Sequence, residues 1–437
     1  MKFSKFALYC CCLALSSCSD REKKLNIVDE RLDETLSRNV PQDANILASS
    51  AEFASKIFLK YQQAYNTESD IMFFSPWKST FKPYIDRDYL SSVKGKYAEN
   101  LHKWTSSEIA ELKKNAAMND CPSRRIKAIS IRNTMSYILP TEKPFFEDIN
   151  RLGGGYPFNE NISNMIYIGT PLLILHVTAD KAWFLVAYPR SVWPRSLGWV
   201  KANDVAFVDE PFIRQYIKSE LFVSINDDVV LLSESGRFLS NACMGTILPG
   251  TNSELFVPCM GKNGYAEITK CRSSSFVKKP YAFTRDNLIE ITRKFLGTKY
   301  GWGGYLNNRD CSIMTRDFTT IFGILIPRSS KNQLRQEGCV SIKNISDKSS
   351  FLRATAIPFL TLIGWKGHVM LYVGSYADKA VFIHNVCGIK IGENEEGRYV
   401  IGKTILSSFD LSKEIESSSK TLEDKVELMY DISAAVR

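Results

Sequence analysis

Between residues 125 and 273 the apolar residues arrive in short runs, and turn residues break each run before a helical face can form. Ile129, Ile131, Thr134 and Tyr137 keep a period near two, and Gly153-Gly154-Gly155 marks a loop. Pro171–Leu175 and Trp183–Val186 are separated by Ala179-Asp180-Lys181, and Gly198-Trp199-Val200 follows. The pattern then repeats through Val229–Leu232, Gly245–Gly250, Glu254–Val257 and Gly264–Ile268, so that Gly264-Tyr265 is expected where Gly198-Trp199 stood in the first unit. Such runs argue for small β-barrels. From residue 284 the spacing changes. Thr284 is a suitable N-cap for a helix bearing Leu288, Ile291 and Phe295 on one face, and Met314, Phe318, Ile321 and Phe322 recur at i, i+4, i+7 and i+8. The predicted fold class is α+β, with two small β-barrels ahead of a mixed domain.

Cys311 follows Asp310 at the start of the second of these helices, just after the glycine-rich turn Gly301–Gly304, where backbone can approach closely. A cysteine there meets unpaired N–H groups and the positive end of the helix dipole, which favour the thiolate that a nucleophile requires. A base is also required. The chain has four His, and two of them fall in one segment. His368 opens a run from Gly367 to Gly374 whose period of two places His368, Met370 and Tyr372 on one face. His384 closes a second short strand, Phe382–His384, and an antiparallel pairing would bring the two rings together, the second fixing the tautomer of the first. A lone buried Cys or a strand His is usually a packing residue; the joint occurrence favours chemistry. Of the eleven Cys, four lie in the first 18 residues and the other seven form no CxxC pair, which argues against a zinc site and against a dense disulfide framework.

Tyr300, Trp302-Gly303-Gly304, Asp310-Cys311-Ser312, Pro327-Arg328, Gln333, Gly367-His368, Leu371–Gly374 and His384, at their spacing over residues 284–410, resemble the NlpC family of papain-like cell-wall cysteine peptidases. Residues 125–210, with "DKAWFLVA" and "LGWVKANDV", resemble a bacterial SH3-like domain, and 221–273 a second, weaker one. Residues 46–124 are expected to form an N-terminal clip segment, with helical spacing at Ile46, Phe53, Ile57 and Tyr61 and a helix over Glu108–Ala117. Residues 411–437 are expected to be a C-terminal tail containing the amphipathic stretch Leu422–Val436. The resemblance implies Cys311 as nucleophile, His368 as general base and acid, and His384 as orienting residue. It places Tyr300 near the oxyanion and Ser312 and Ser330 at the substrate. It further implies hydrolysis of γ-D-glutamyl–diamino acid bonds, most often to meso-diaminopimelate, without metal or organic cofactor. The chain departs from the family at two places. Ile313 stands where many members have Gly. Ser329-Ser330 follows Pro327-Arg328 where members that trim peptides with a free amino terminus often have Asp-Ser, so a carboxylate for a substrate ammonium is missing.

The N-terminus reads as an address. Lys2 and Lys5 precede the apolar run Phe6–Leu15, and Leu15-Ser16-Ser17-Cys18 resembles a bacterial lipobox in which Cys18 would be lipidated. Residues 19–45 are a polar tether. These features predict a lipid-anchored envelope protein, outer-membrane bound and facing the periplasm, whose partners are murein peptides. The excess of 56 Lys and Arg over 47 Asp and Glu gives +9, compatible with an anionic partner, but no basic stripe with interleaved aromatics supports nucleic-acid binding. The barrels are expected to narrow the cleft toward small murein peptides. A catalytically silent murein-binding lipoprotein and a thiol acyltransferase on the same fold stay open as alternatives.

Overall fold

The computed structural model describes residues 93–433 apart from 151–152, 189–196, 253, 325, 392–396 and 413–420. The signal segment, Cys18, the tether and the helical spacing at Ile46–Tyr61 lie outside the described residues. The first described helix, α1 (Ser106–Ala116), begins at a capping box: Thr105 Oγ1 accepts from Glu108 N at 3.2 Å, and the Glu108 carboxylate accepts from Thr105 N at 2.8 Å. Its buried Leu112 joins Trp104, Leu139 and Phe145, which fastens this segment to the barrel that follows.

That barrel contains β1 (Ile126–Ser130), β2 (Thr134–Tyr137), β3 (Ile162–Ile166), β4 (Pro171–Val177), β5 (Trp183–Ala187), β6 (Leu197–Lys201) and β7 (Val205–Phe207), in the order β3-β2-β6-β5-β4-β1-β7. Trp199 of β6 pairs with Leu185 of β5 and is buried. His176 is a satisfied core histidine: Nε2–H donates to the Ala116 carbonyl at 3.1 Å, and Nδ1 accepts from the Ser123 hydroxyl at 2.8 Å.

Helix α2 (Glu210–Lys218), capped by Asp209, leads into the second unit. It comprises β8 (Glu220–Ser224), β9 (Val229–Leu232), β10 (Phe238–Ala242), β11 (Ile247–Thr251), β12 (Glu254–Met260), β13 (Ala266–Cys271) and β14 (Phe276–Lys278). Five strands form one sheet, β13-β12-β11-β8-β14, and β9 and β10 form a hairpin. The expected equivalence of Gly264-Tyr265 with Gly198-Trp199 does not hold. Gly198 and Trp199 lie inside β6, whereas Gly264 ends a 3-10 turn ahead of β13 and Tyr265 is exposed with its ring against Phe207 of the first barrel.

The last unit starts with α3 (Arg285–Phe295), whose N-cap Thr284 accepts from Asn287 N, and continues with α4 (Cys311–Ile321) and the short α5 (Ser330–Gln333). Then come β15 (Val340–Ser341), α6 (Lys348–Thr355), β16 (Thr361–Trp365), β17 (His368–Tyr376), β18 (Lys379–Ile391), β19 (Gly397–Ser407), α7 (Leu422–Lys425) and β20 (Leu428–Asp431). The sheet order is β15-β20-β16-β17-β18-β19. The described residues 421–432 are therefore part of this domain rather than a tail. Strand β20 inserts beside β16 with Leu362 opposite Tyr430, and Tyr430 and Ile432 are buried in the core. A four-residue helix followed closely by a four-residue strand reads in the sequence as one amphipathic stretch.

Period two holds along β17. Val369, Leu371 and Val373 pack in the cluster that holds Met314, Phe318 and Ile321 of α4, while Met370 and Tyr372 pack with Phe382, Phe409 and Leu422. Every residue of α4 is buried, because its other side meets both barrels. There Asp317 accepts from Arg309 Nε at 2.9 Å, from Arg316 Nε and Nη2 at 3.0 and 2.8 Å, and from the Tyr167 hydroxyl of the first barrel. Arg309 goes on to donate to Asp227 of the second unit at 2.8 and 2.7 Å and to the Met244 carbonyl at 3.1 Å. Gly245, at φ +84°, lets that turn come in so close that a Cβ would sit 3.0 Å from Asp317 Cβ. The three units thus meet at one set of buried charges.

Candidate active site

Cys311 is the first residue of α4, and Asp310 is its N-cap. Asp310 Oδ1 accepts from Ser312 N at 3.0 Å and from Ile313 N at 2.9 Å, satisfying two of the donors that a helix start leaves open. Arg328 clamps the same carboxylate at both oxygens, at 3.1 and 3.0 Å, and donates from Nε to Asn164 Oδ1 of the first barrel at 2.7 Å. Burial pushes the Asp310 carboxyl up, but the Arg328 charge and the hydrogen bonds outweigh it, so the group sits below its ordinary value and is ionised.

The glycine-rich turn serves closeness to the barrel more than closeness to the thiol. Gly303 and Gly304 lie at φ +63° and +100°, and a Cβ on either would come within 2.4 Å of Ile162 or Met165 of β3. Gly303 N also donates to Asp310 Oδ2 at 3.2 Å. The turn therefore joins the barrel to the cap of the cysteine helix.

A cavity of about 490 Å³ opens at the start of α4. Cys311, His368, His384 and Tyr300 all line it, together with Trp302, and Phe158 of the first barrel. The Phe158 ring stands edge-on to Trp302 at 5.3 Å between centroids. Ser312 and Ser330, expected at the substrate, stand outside this lining. The Ser312 hydroxyl is held between Asp310, to which it donates at 2.9 Å, and the Arg328 guanidinium. Ser330 is buried in α5, and Ser329 serves as its N-cap, accepting from Asn332 N at 3.3 Å. Among the described residues no group of three or more His, Cys, Asp or Glu could hold a metal ion, and all seven described cysteines are free thiols.

The antiparallel pairing of β17 and β18 brings the two histidines together, with His368 Nε2 2.8 Å from His384 Nδ1. His384 Nε2 lies 2.9 Å from Ser407 Oγ at the end of β19. These contacts select a tautomer chain. A base must present a bare nitrogen, so with Nδ1 of His368 as the lone pair, its Nε2–H donates to His384 Nδ1, and the His384 Nε2–H donates to Ser407. Ser407 had no signal in the sequence; it is identified by its place on the neighbouring strand.

Electrostatics overturn one expectation. The helix start was expected to favour thiolate, yet burial, reinforced by the Asp310 charge, pushes the Cys311 thiol up to about 12 against the opposing pull of the Val369 and Ser312 N–H groups. Burial also lowers His368 to about 4, with Asp310 opposing, and holds His384 well below its ordinary value, helped by His368. Both shifts oppose a preformed thiolate–imidazolium pair.

A pH effect on stability follows. In the unfolded chain both rings take up protons near pH 6.5, whereas in the folded chain burial makes His368 resist until about pH 4 and holds His384 well below its ordinary value. The unfolded state then binds more protons, so stability is full above pH 6.5 and falls as pH drops toward 4. Asp310, held below its ordinary carboxyl value, adds its loss only below about 3.8. Denaturant midpoints measured from pH 7 to 4.5 should decline, and His384→Gln should flatten the decline; an unchanged slope would exclude this source.

The fold and the site define a cysteine-peptidase architecture: a helix-borne Cys packed on an antiparallel sheet that carries the His pair, preceded by two SH3-like domains. The last domain carries the NlpC/P60 family profile. Residues 297–405 match the NlpC/P60 family profile, 144–201 an SH3 domain of SH3b1 type, 209–251 an SH3 domain of SH3b2 type, and 7–120 the N-terminal NLPC_P60 stabilising domain. Among solved structures, an NlpC/P60 endopeptidase from Photobacterium damselae subsp. piscicida is similar with a TM-score of 0.72 and 25% identity, covering 80% of this chain and 84% of that one. An NlpC/P60 family protein from Bacillus cereus gives a TM-score of 0.43 at 17% identity, covering 68% and 98%. No curated relative matches the chain.

Proposed function

We propose that this protein is a cell-wall cysteine endopeptidase that hydrolyses the γ-D-glutamyl–diamino acid bond of murein peptides through a Cys311 thioester. The observation that carries this reading is one cavity lined by the helix-start cysteine and by two histidines hydrogen-bonded at 2.8 Å. His368 Nδ1 takes the Cys311 proton as Sγ attacks the scissile carbonyl carbon. Because the Asp310 cap takes the N–H groups of Ser312 and Ile313, the Cys311 N–H is the helix-start donor left for the oxyanion, with Tyr300 beside it. The C–N bond breaks as the imidazolium returns its proton to the leaving amine. Water, activated by the same imidazole, then cleaves the thioester and restores the thiol. His384 and Ser407 hold the ring of His368 in the tautomer this requires.

The SH3b pair supports a peptidoglycan-derived substrate, and Phe158 in the lining supports a cleft narrowed by the first barrel toward small murein peptides. Ser329 at the head of α5 is without the carboxylate expected of enzymes that require a free substrate amine, so an amino-blocked peptide should also be accepted. The lipobox-like segment ending at Cys18 places the enzyme, in this reading, on the periplasmic side of the outer membrane. The test is incubation with L-Ala-γ-D-Glu-meso-diaminopimelate and with its muramyl form, followed by mass spectrometry. Release of diaminopimelate from both is expected; cleavage at another bond, or none, would refute the assignment.

A further inference from the structure

Directly after His384 on β18 stands Asn385, wholly buried and outside the cavity lining. Its Nδ2 donates to the Thr298 carbonyl at 3.4 Å and to the Lys299 carbonyl at 3.2 Å. Carbonyl oxygens only accept, so the amide must turn its nitrogen toward them. Its Oδ1 is then left buried with no hydrogen-bond partner. An apolar side chain of the same size would avoid that cost, so the two donors are what the position uses.

The acceptors belong to the segment that carries Tyr300. Gly297 N donates to the Thr404 carbonyl at 2.9 Å, Thr404 N to the Thr298 carbonyl at 2.9 Å, and Tyr300 N to the Gly402 carbonyl at 2.8 Å, which lays residues 297–300 along β19. Thr404 is also the residue of β19 that pairs with Asn385. The Lys299 carbonyl accepts in addition from Arg309 N at 3.4 Å, and Gly301 N donates to the Arg309 carbonyl at 2.9 Å, one residue before the Asp310 cap. One buried amide therefore ties the strand that bears His384 to the segment that bears Tyr300, beside the approach to Cys311.

We propose that Asn385 is a positioning residue for the hydrolysis, acting through Tyr300: its two donors hold the backbone before Tyr300 so that the phenol stands in the cavity where the oxyanion forms. The inference rests on the proposed endopeptidase reading and deepens it. A contact made to the oxyanion exists only in the transition state, so a displaced Tyr300 should lower kcat and leave KM nearly unchanged. Loss of Asn385 leaves the Thr298 carbonyl its bond from Thr404 N and the Lys299 carbonyl its bond from Arg309 N, so the segment should stay folded while its placement loosens.

The experiment is a double-mutant cycle on the full chain with L-Ala-γ-D-Glu-meso-diaminopimelate. Tyr300→Phe should lower kcat by about a hundredfold. Asn385→Leu, which fills the space without donors, should lower it by about tenfold in the native background and by less than about twofold beside Tyr300→Phe, because the two act as a unit. Equal factors in both backgrounds, or an effect of Asn385→Leu on KM alone, would overturn the proposal. Asn385→Ala is run beside it with denaturant midpoints; loss of folding in both variants would make the residue structural and overturn the proposal as well. A second readout needs no turnover. With 3-fluorotyrosine in place of the 19 Tyr, the Tyr300 fluorine resonance is the one that Tyr300→Phe removes, and Asn385→Leu should shift or broaden it. Should the wild type leave the peptide uncleaved, the endopeptidase reading fails and this resonance alone decides: a displaced signal supports the positioning of Tyr300 by Asn385, and an unchanged one refutes it.

Discussion

Cys311→Ala is expected to lower turnover of the tripeptide by about a thousandfold or more, to the level that binding and the remaining donors provide. The physical reason is that no other described thiol opens a helix in this cavity beside the His pair. The fold should survive the change, since the residue is small and its neighbours Ser312 and Ile313 keep the Asp310 cap. A second readout separates a neutral resting pair from a preformed ion pair. With the thiol at about 12 and His368 at about 4, Cys311 should react slowly with iodoacetamide at pH 7, and its rate should show no step between pH 4 and 6.5. A fast, low-pH titrating alkylation would mean that a thiolate–imidazolium pair stands before substrate arrives. Activity retained by Cys311→Ala would remove the thioester mechanism altogether.

Asp317→Ala should be the most damaging single substitution for stability. Asp317 is wholly buried and compensates Arg309 and Arg316, both nearly inaccessible, while receiving the Tyr167 hydroxyl of the first barrel. Removing it leaves two guanidinium charges in the interior with Asp227 as the remaining described carboxylate partner of Arg309. Breaking a buried pair in this way costs about 3–5 kcal/mol. Because the pair joins three units, the loss should also loosen the barrels from the catalytic domain, which limited proteolysis would detect. Asp317→Asn, which keeps acceptor geometry at one oxygen, should cost less. Replacing Arg309 by Leu in the Asp317→Ala background should recover part of the loss, since the two residues act as a unit. Additive losses would show that the contact is not an energetic coupling.

These two sites also show how far the sequence reached. Short apolar runs and the switch to helical spacing at residue 284 carried the barrels and the helices, because burial on one face writes its period directly into the chain. Asp310, Cys311 and the two histidines were legible for the same reason: helix starts and strand faces are local properties. Ser407, Asn164 and Phe158 were not, since each comes from a strand or barrel that approaches from elsewhere in the chain, and nothing in its neighbourhood marks it. Strand β20 was hidden because its partner β16 lies more than 60 residues earlier. The thiol is the clearest division. By itself the sequence determined that a cysteine begins a helix, with the dipole that favours thiolate. The tertiary structure alone decided that burial in the packed walls, reinforced by the Asp310 charge, outweighs it, because desolvation and a neighbouring charge depend on what surrounds the sulfur in space.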